Sequence, residues 1–206
     1  MYKRQVRLQK FFCLLAIIAS ALVFVYSLGL VTDLYEALYG TMPYPEIPEE
    51  DYIAGARIFY NIQGFNTQLM LSGLGLIIVS LGLYITQTHK RRRYYIGNYC
   101  ATGIWVAAAL GVCGWMHVRI QAFKAEFLKI DFAALAEYAE TKKKVALTAD
   151  DTFWFDIHYA VMAIVILVCA VLVANVFWKI SLMKQEAALL AGAPAKEQGS
   201  APAKVQ

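Results

Sequence analysis

The chain has 206 residues, of which 60% are hydrophobic and only 17% are charged, and its formal net charge is +4. A typical soluble domain carries roughly 25% charged residues, and so few charges could not cover this much apolar surface in water. The composition therefore excludes an ordinary soluble fold and predicts an integral membrane protein.

Four apolar runs are long enough to cross a membrane as helices. They cover about residues 11–31, 67–87, 96–118 and 157–179, and about 20 helical residues suffice to cross the hydrocarbon core. None has the alternating pattern of a membrane barrel strand. The first run is too long for a signal peptide and lacks a small-residue cleavage site, so we interpret it as an uncleaved anchor. The predicted fold class is all-α, a bundle of four transmembrane helices.

The distribution of basic residues predicts the orientation of these helices. The segments 1–10, 88–95 and 179–206 hold twelve of the nineteen Lys and Arg residues and only two acids. The intervening regions hold seven basic residues and thirteen acids. Because basic segments remain cytoplasmic, we expect both termini inside the cell, in a bacterial inner membrane. Anionic lipid headgroups account for the basic face, so no nucleic acid is expected as a partner.

The segments between the runs divide the chain further. Residues 1–186 form the predicted membrane domain, with partly helical extracytoplasmic loops at 32–66 and 119–156. Residues 187–206 are rich in Ala, Gly and Pro, which predicts a disordered cytoplasmic tail.

Small residues recur at helical spacing within three of the runs. Gly103, Ala107 and Gly111 lie within about 80° on a helical wheel, and small residues at such spacing let two helix backbones approach closely. The predicted packing positions are Gly103, Ala107, Gly111, Gly114, Gly73, Gly75, Gly82, Ala163, Ala170 and Ala174. Packing inside the four-helix bundle is the favoured interpretation, and a seam for another subunit is the alternative.

Two histidines, His117 and His158, fall at the same predicted outer end of the third and fourth runs. They could be the axial ligands of a b-type haem, but the wheel places His158 opposite the alanine face of its own run. We therefore favour an interfacial role in contact with water and expect no cofactor. At the same boundary, Arg119 and Asp156 either pair or are solvated.

Aromatic and acidic residues alternate in the first outer loop. Tyrosine is favoured at interface centres, so this segment is a candidate contact for a partner or ligand, although an aromatic belt with a solvated acidic rim is the favoured interpretation. The candidate residues are Tyr35, Tyr39, Tyr44, Tyr52, Tyr60, Glu49, Glu50 and Asp51.

The motifs of common membrane enzymes do not occur in the sequence. It has no C-x-x-C, H-E-x-x-H, G-x-S-x-G or Walker motif, and no charged residue within the four apolar cores. We therefore predict a non-enzymatic accessory or assembly subunit of a larger membrane complex, for which an ABC-type importer is the first candidate. Its expected partners are the bilayer, other membrane subunits and an extracytoplasmic binding protein. The alternatives are a haem-bearing anchor of a redox enzyme and, less favoured, a small oligomeric channel or carrier.

Overall fold

The structure, a computed structural model, describes residues 2–30, 53–88, 97–141 and 148–192. This part of the chain is helical and contains no strand. Its helices are α1 (Tyr2–Gly29), α2 (Ile58–Thr88), α3 (Gly97–Phe127), α4 (Phe132–Thr141), α5 (Phe153–Asp156) and α6 (His158–Gly192). The prediction of an all-helical protein is confirmed.

Four segments are long and apolar enough to cross a membrane, which confirms the number of predicted spans. They are Arg7–Gly29, Tyr60–Gln87, Asn98–Phe127 and Phe153–Leu189. The helices extend beyond the predicted limits of the spans. The 31 residues of α3 have a length of about 46 Å at 1.5 Å per residue, whereas the hydrocarbon core is about 30 Å thick.

The four long helices pack in a closed order, with α1 and α3 each contacting α2 and α6. Side-chain contacts show that these neighbours run antiparallel. Gln9, near the start of α1, meets Gln87 near the end of α2 and Asn175 in the second half of α6. His117, near the end of α3, meets His158 at the start of α6. We call these two ends of the bundle the amide end and the histidine end.

Close packing of α1 against α2 depends on a glycine that lies directly against the backbone of α1. On α2, a Cβ added at Gly73 would lie 2.9 Å from the backbone of Phe24. Such close approach matters in a membrane because apolar side chains gain little by exchanging lipid for another helix. Gly73 therefore sets the distance between these two helices.

A small apolar cluster covers the histidine end of the bundle. It contains Phe127, Leu135 and Phe155, which are fully buried, and Ile130. The turn before α2 contacts this cluster through Gly55, whose φ is +81° and whose Cβ position would be 3.0 Å from the Ile130 backbone. A side chain is disfavoured there by both the left-handed backbone and the lack of space. The cluster holds the start of α2, the end of α3 and α5 together.

Candidate functional site

The predicted packing positions of α3 do not pack inside the bundle. Gly103, Ala107, Gly111 and Gly114 are all exposed, and no heavy atom lies within 4 Å of a Cβ built at the three glycines. The favoured interpretation of this pattern, packing within the bundle, is therefore wrong for α3. The inward face of α3 instead carries larger residues, among them the fully buried Trp105.

The predicted packing positions on the other two helices behave similarly. Ala163, Ala170 and Ala174 of α6 are exposed, as are Gly75 and Gly82 of α2. Neither of these glycines has a heavy atom within 4 Å of its Cβ position. Gly73 is the one member of the predicted set that lies within the bundle. Whether the exposed members contact another subunit stays a prediction.

Most of the predicted contact residues of the first outer loop lie outside the described part of the chain. These are Tyr35, Tyr39, Tyr44, Tyr52, Glu49, Glu50 and Asp51. Tyr60 is described and lies half-buried in the first turn of α2. A role for this loop in binding a partner stays a prediction.

The structure brings His117 and His158 into direct contact. Nδ1 of His117 lies 3.0 Å from Nε2 of His158. Nδ1 of His158 contacts the carbonyl oxygen of Phe155, one turn earlier in the chain. His158 is 0% exposed and His117 is half-buried. The expected contact of His158 with water is therefore wrong. Since the alanine face of α6 points outward, the opposite face, which carries His158, points into the bundle.

Further polar side chains extend the contact between α3 and the α5–α6 junction. Gln121 donates a hydrogen bond to the Tyr159 hydroxyl at 3.0 Å. Lys124 donates to both carboxylate oxygens of Asp156, at 2.6 and 2.8 Å, and Thr152 donates to the same carboxylate at 2.7 Å. His117, Gln121 and Lys124 recur at helical spacing, so one side of α3 supplies all three contacts.

Arg119 and Asp156 do not pair in the described part of the chain. The carboxylate of Asp156 binds Lys124, while the guanidinium of Arg119 lies 5.1 Å from the centre of the Phe123 ring. Position on the helix explains the difference. Arg119 lies on the exposed face of α3, whereas Lys124 lies on the side that faces α6.

The histidine pair does not fit a haem held by two axial histidines. A metal–imidazole bond is about 2 Å long, so two axial nitrogens on opposite faces of a porphyrin would stand about 4 Å apart. Here the facing nitrogens are 3.0 Å apart and bond each other directly. The part of the chain that the structure describes also contains no group of three or more His, Cys, Asp and Glu side chains placed to hold a metal ion.

A second polar cluster, at the amide end, joins all four long helices. Gln9 of α1 donates to Gln87 of α2 and accepts a hydrogen bond from Asn175 of α6 at 2.5 Å. Gln87 in turn donates to the Thr102 hydroxyl of α3 at 2.5 Å. These four side chains, together with Gln5, are buried. We call this group the amide cluster.

The amide cluster is not predictable from the sequence, because its members are far apart in the chain. Gln5 and Gln9 belong to the basic segment before the first predicted span, and Gln87 ends the second span. Their four-residue spacing places Gln5 and Gln9 on one helical face, which is the single local signal. Asn175 is polar within an apolar run, but its partners are recognisable only once the helices are packed.

No family model, curated protein or solved structure matches this chain. The function must therefore be inferred from the residues and their geometry.

Proposed function

We propose that the protein is a non-catalytic accessory or assembly subunit of a larger complex in the bacterial inner membrane. The observation that carries the proposal is the exposed ladder of Gly103, Ala107 and Gly111 on α3. Van der Waals packing and close backbone approach drive helix association in lipid, and both require small residues at the contact. Such a ladder has no packing role within the bundle and suits a transmembrane helix of another subunit.

The interior of the bundle supports a non-catalytic role. Most of its polar side chains at both ends bind one another, as in the amide cluster and the histidine pair; among the described residues, Oδ1 of Asn66 and Oδ1 of Asn175 are buried without a partner. Hydrogen bonds between buried side chains stabilise helix packing. The protein would thus act through its surfaces, by docking to its partners.

The charges at the two ends of the bundle support the proposed orientation. Arg4, Arg7 and Lys10 are exposed on α1 at the amide end, as is Lys184 on α6. The histidine end carries the exposed acids Glu126, Asp131, Glu137, Glu140, Asp150 and Asp151 beside the exposed bases Arg57, Arg119 and Lys129. The positive-inside rule counts Lys and Arg, and twelve of the nineteen belong to the segments 1–10, 88–95 and 179–206, so the amide end and both termini are cytoplasmic in this proposal.

An importer of the ABC type is the complex to test first. In this arrangement, α3 docks to a permease subunit within the membrane. The acidic outer end then contacts an extracytoplasmic binding protein. We favour this complex for two reasons. The protein would have no reaction of its own, and it would present structured segments outside the membrane, on the side where an importer receives its cargo.

Gentle purification of the tagged protein from its native membranes tests the proposal. We expect at least one membrane subunit to copurify, and we expect Gly111→Leu to lose it because leucine would hold the partner helix away. Gly64→Leu is the matched control, since Gly64 is also exposed with no heavy atom within 4 Å of its Cβ position but is not one of the predicted contact positions. A monomer with no copurifying subunit, or an unchanged complex in Gly111→Leu, would contradict the proposal.

The two alternative functions have less support. A haem-bearing anchor requires two ligating nitrogens that are free to bind iron, whereas the facing nitrogens of His117 and His158 bind each other. A small oligomeric channel or carrier would line its pore with the Asn and Gln residues near the start of α2. Asn61, Gln63 and Gln68 are exposed and Asn66 is buried, so such a pore would form between copies of the chain rather than within one bundle.

A further inference from the structure

The contacts of the histidine pair determine where its hydrogens lie. A carbonyl oxygen only accepts hydrogen bonds, so Nδ1 of His158, which contacts the Phe155 carbonyl, must carry a hydrogen. In a neutral ring, Nε2 of His158 then holds a lone pair and is an acceptor. The nitrogen that faces it, Nδ1 of His117, must therefore be the donor. Nε2 of His117 is left with the second lone pair.

The pair can bind one proton without losing its hydrogen bond, but not two. A first proton on Nε2 of His117 leaves the Nδ1–H donor in place, and a bond from a charged donor is stronger than a neutral one. A second proton must go to Nε2 of His158, which is the acceptor of the bond. Two N–H groups would then face each other 3.0 Å apart, on two cationic rings.

The charged groups around the pair offer little compensation for two positive charges. His117, Asp156 and Lys124 are the ionisable groups that act electrostatically on His158. Asp156 is already paired with the ammonium of Lys124 at 2.6 Å. His158 also begins α6, and the positive end of a helix dipole disfavours a cation there.

The other ionisable groups nearby are engaged elsewhere. Tyr159, whose ring centre is 5.7 Å from that of His117, accepts a hydrogen bond from Gln121. Tyr26 of α1 donates its hydroxyl to the carbonyl of Trp154 at 2.9 Å, and Arg119 lies over the Phe123 ring.

We propose that His117 and His158 form a proton-binding latch between α3 and the start of α6. The latch holds the two helices together with no proton or one proton bound, and it releases them when a second proton binds. The latch follows from the hydrogen-bond geometry and does not depend on the proposed function. Because His117 is half-buried and His158 is buried, protons reach the pair from the exposed side of His117. The latch therefore makes the packing of the histidine end sensitive to acid.

Nuclear magnetic resonance of the full chain with ¹⁵N-labelled histidine, in detergent micelles, tests the order of protonation. At about pH 8 we expect hydrogens on Nδ1 of both rings and lone pairs on both Nε2 atoms. On acidification the first proton should appear on Nε2 of His117, while Nε2 of His158 still accepts. The second proton should appear together with loss of the ¹⁵N–¹⁵N scalar coupling across the hydrogen bond between Nδ1 of His117 and Nε2 of His158. A first proton on Nε2 of His158, or a coupling that survives double protonation, would overturn the proposal.

Thermal unfolding of matched variants tests the effect on packing. Between about pH 7 and about pH 5, unperturbed carboxylates stay charged while histidine titrates, and we expect the wild-type unfolding midpoint to fall. His158→Asn can accept the hydrogen bond of His117 through its Oδ1 and cannot bind the second proton, so this fall should be lost. His89→Asn changes the remaining histidine of the chain and should retain it. An undiminished fall in His158→Asn would show that the pair is not a latch.

Discussion

Gly73 allows a direct test of how closely α1 and α2 pack. In Gly73→Ala the new Cβ would lie 2.9 Å from the Phe24 backbone, and ordinary contact begins at 3.4 Å, so the helices must separate by about 0.5 Å at this point. A gap of that size forfeits roughly a quarter of the dispersion energy of the contacts that it opens. Backbone cannot rotate away as a flexible side chain can. We therefore expect the strain of an overpacked core, about 1–3 kcal/mol of lost unfolding free energy.

Gly75→Ala and Gly82→Ala are the matched controls for this effect. Each lies on the same helix, and no heavy atom lies within 4 Å of its Cβ position. Any gain from replacing glycine by alanine within a helix, about 0.5–1 kcal/mol, is common to all three variants. The difference between Gly73→Ala and the controls therefore isolates the clash with α1.

The assay is unfolding of the purified protein from mild detergent into increasing mole fractions of a denaturing detergent. Tryptophan fluorescence follows the transition. In a background with Trp115, Trp154 and Trp178 replaced by Phe, it reports on Trp105 alone, which is fully buried and donates a hydrogen bond to Ser20 of α1 at 3.3 Å. Far-ultraviolet circular dichroism follows the helices. Equal midpoints for Gly73→Ala and the two controls would refute the close approach of α1 and α2.

Two further predictions concern the amide end. Gln9→Leu removes the partner of both Gln87 and Asn175, which are buried. We expect a loss of about 1–3 kcal/mol in unfolding free energy in the same assay. Thr67→Ala is its control, because the exposed Thr67 hydroxyl donates only to Gln63 of its own helix, and equal losses would contradict a structural role for the cluster. In a Cys100→Ser background, we expect an impermeant maleimide to label Lys129→Cys in intact cells and Lys184→Cys only after the membrane is opened. The reverse pattern would invert the proposed orientation.

The sequence predicted the four long helices because membrane thickness and local hydropathy control their formation. A run of about 20 apolar residues in lipid must satisfy its backbone hydrogen bonds internally, and a helix does so whatever its neighbours. The boundaries were less predictable. The second span was expected from residue 67 after a partly helical loop, and α2 begins at Ile58; hydropathy marks the apolar run but not where a helix that extends beyond it begins.

The rotation of each helix about its own axis was decided by the tertiary structure. A soluble helix shows its inner face by hydrophobic periodicity, but a membrane helix is apolar on all sides and loses that signal. The sequence therefore showed that Gly103, Ala107 and Gly111 share a face, and it could not show that this face points outward.

The same reason explains both polar sites. The helical wheel placed His158 opposite the alanines of its helix, but only packing reveals that this direction leads to His117. Gln87 and Asn175 lie 78 and 166 residues after Gln9 in the chain. In the sequence, each resembles an ordinary polar residue near a membrane boundary. Local composition therefore predicts the four membrane helices. The contacts between them depend on how each helix is rotated about its own axis, which only the tertiary structure determines.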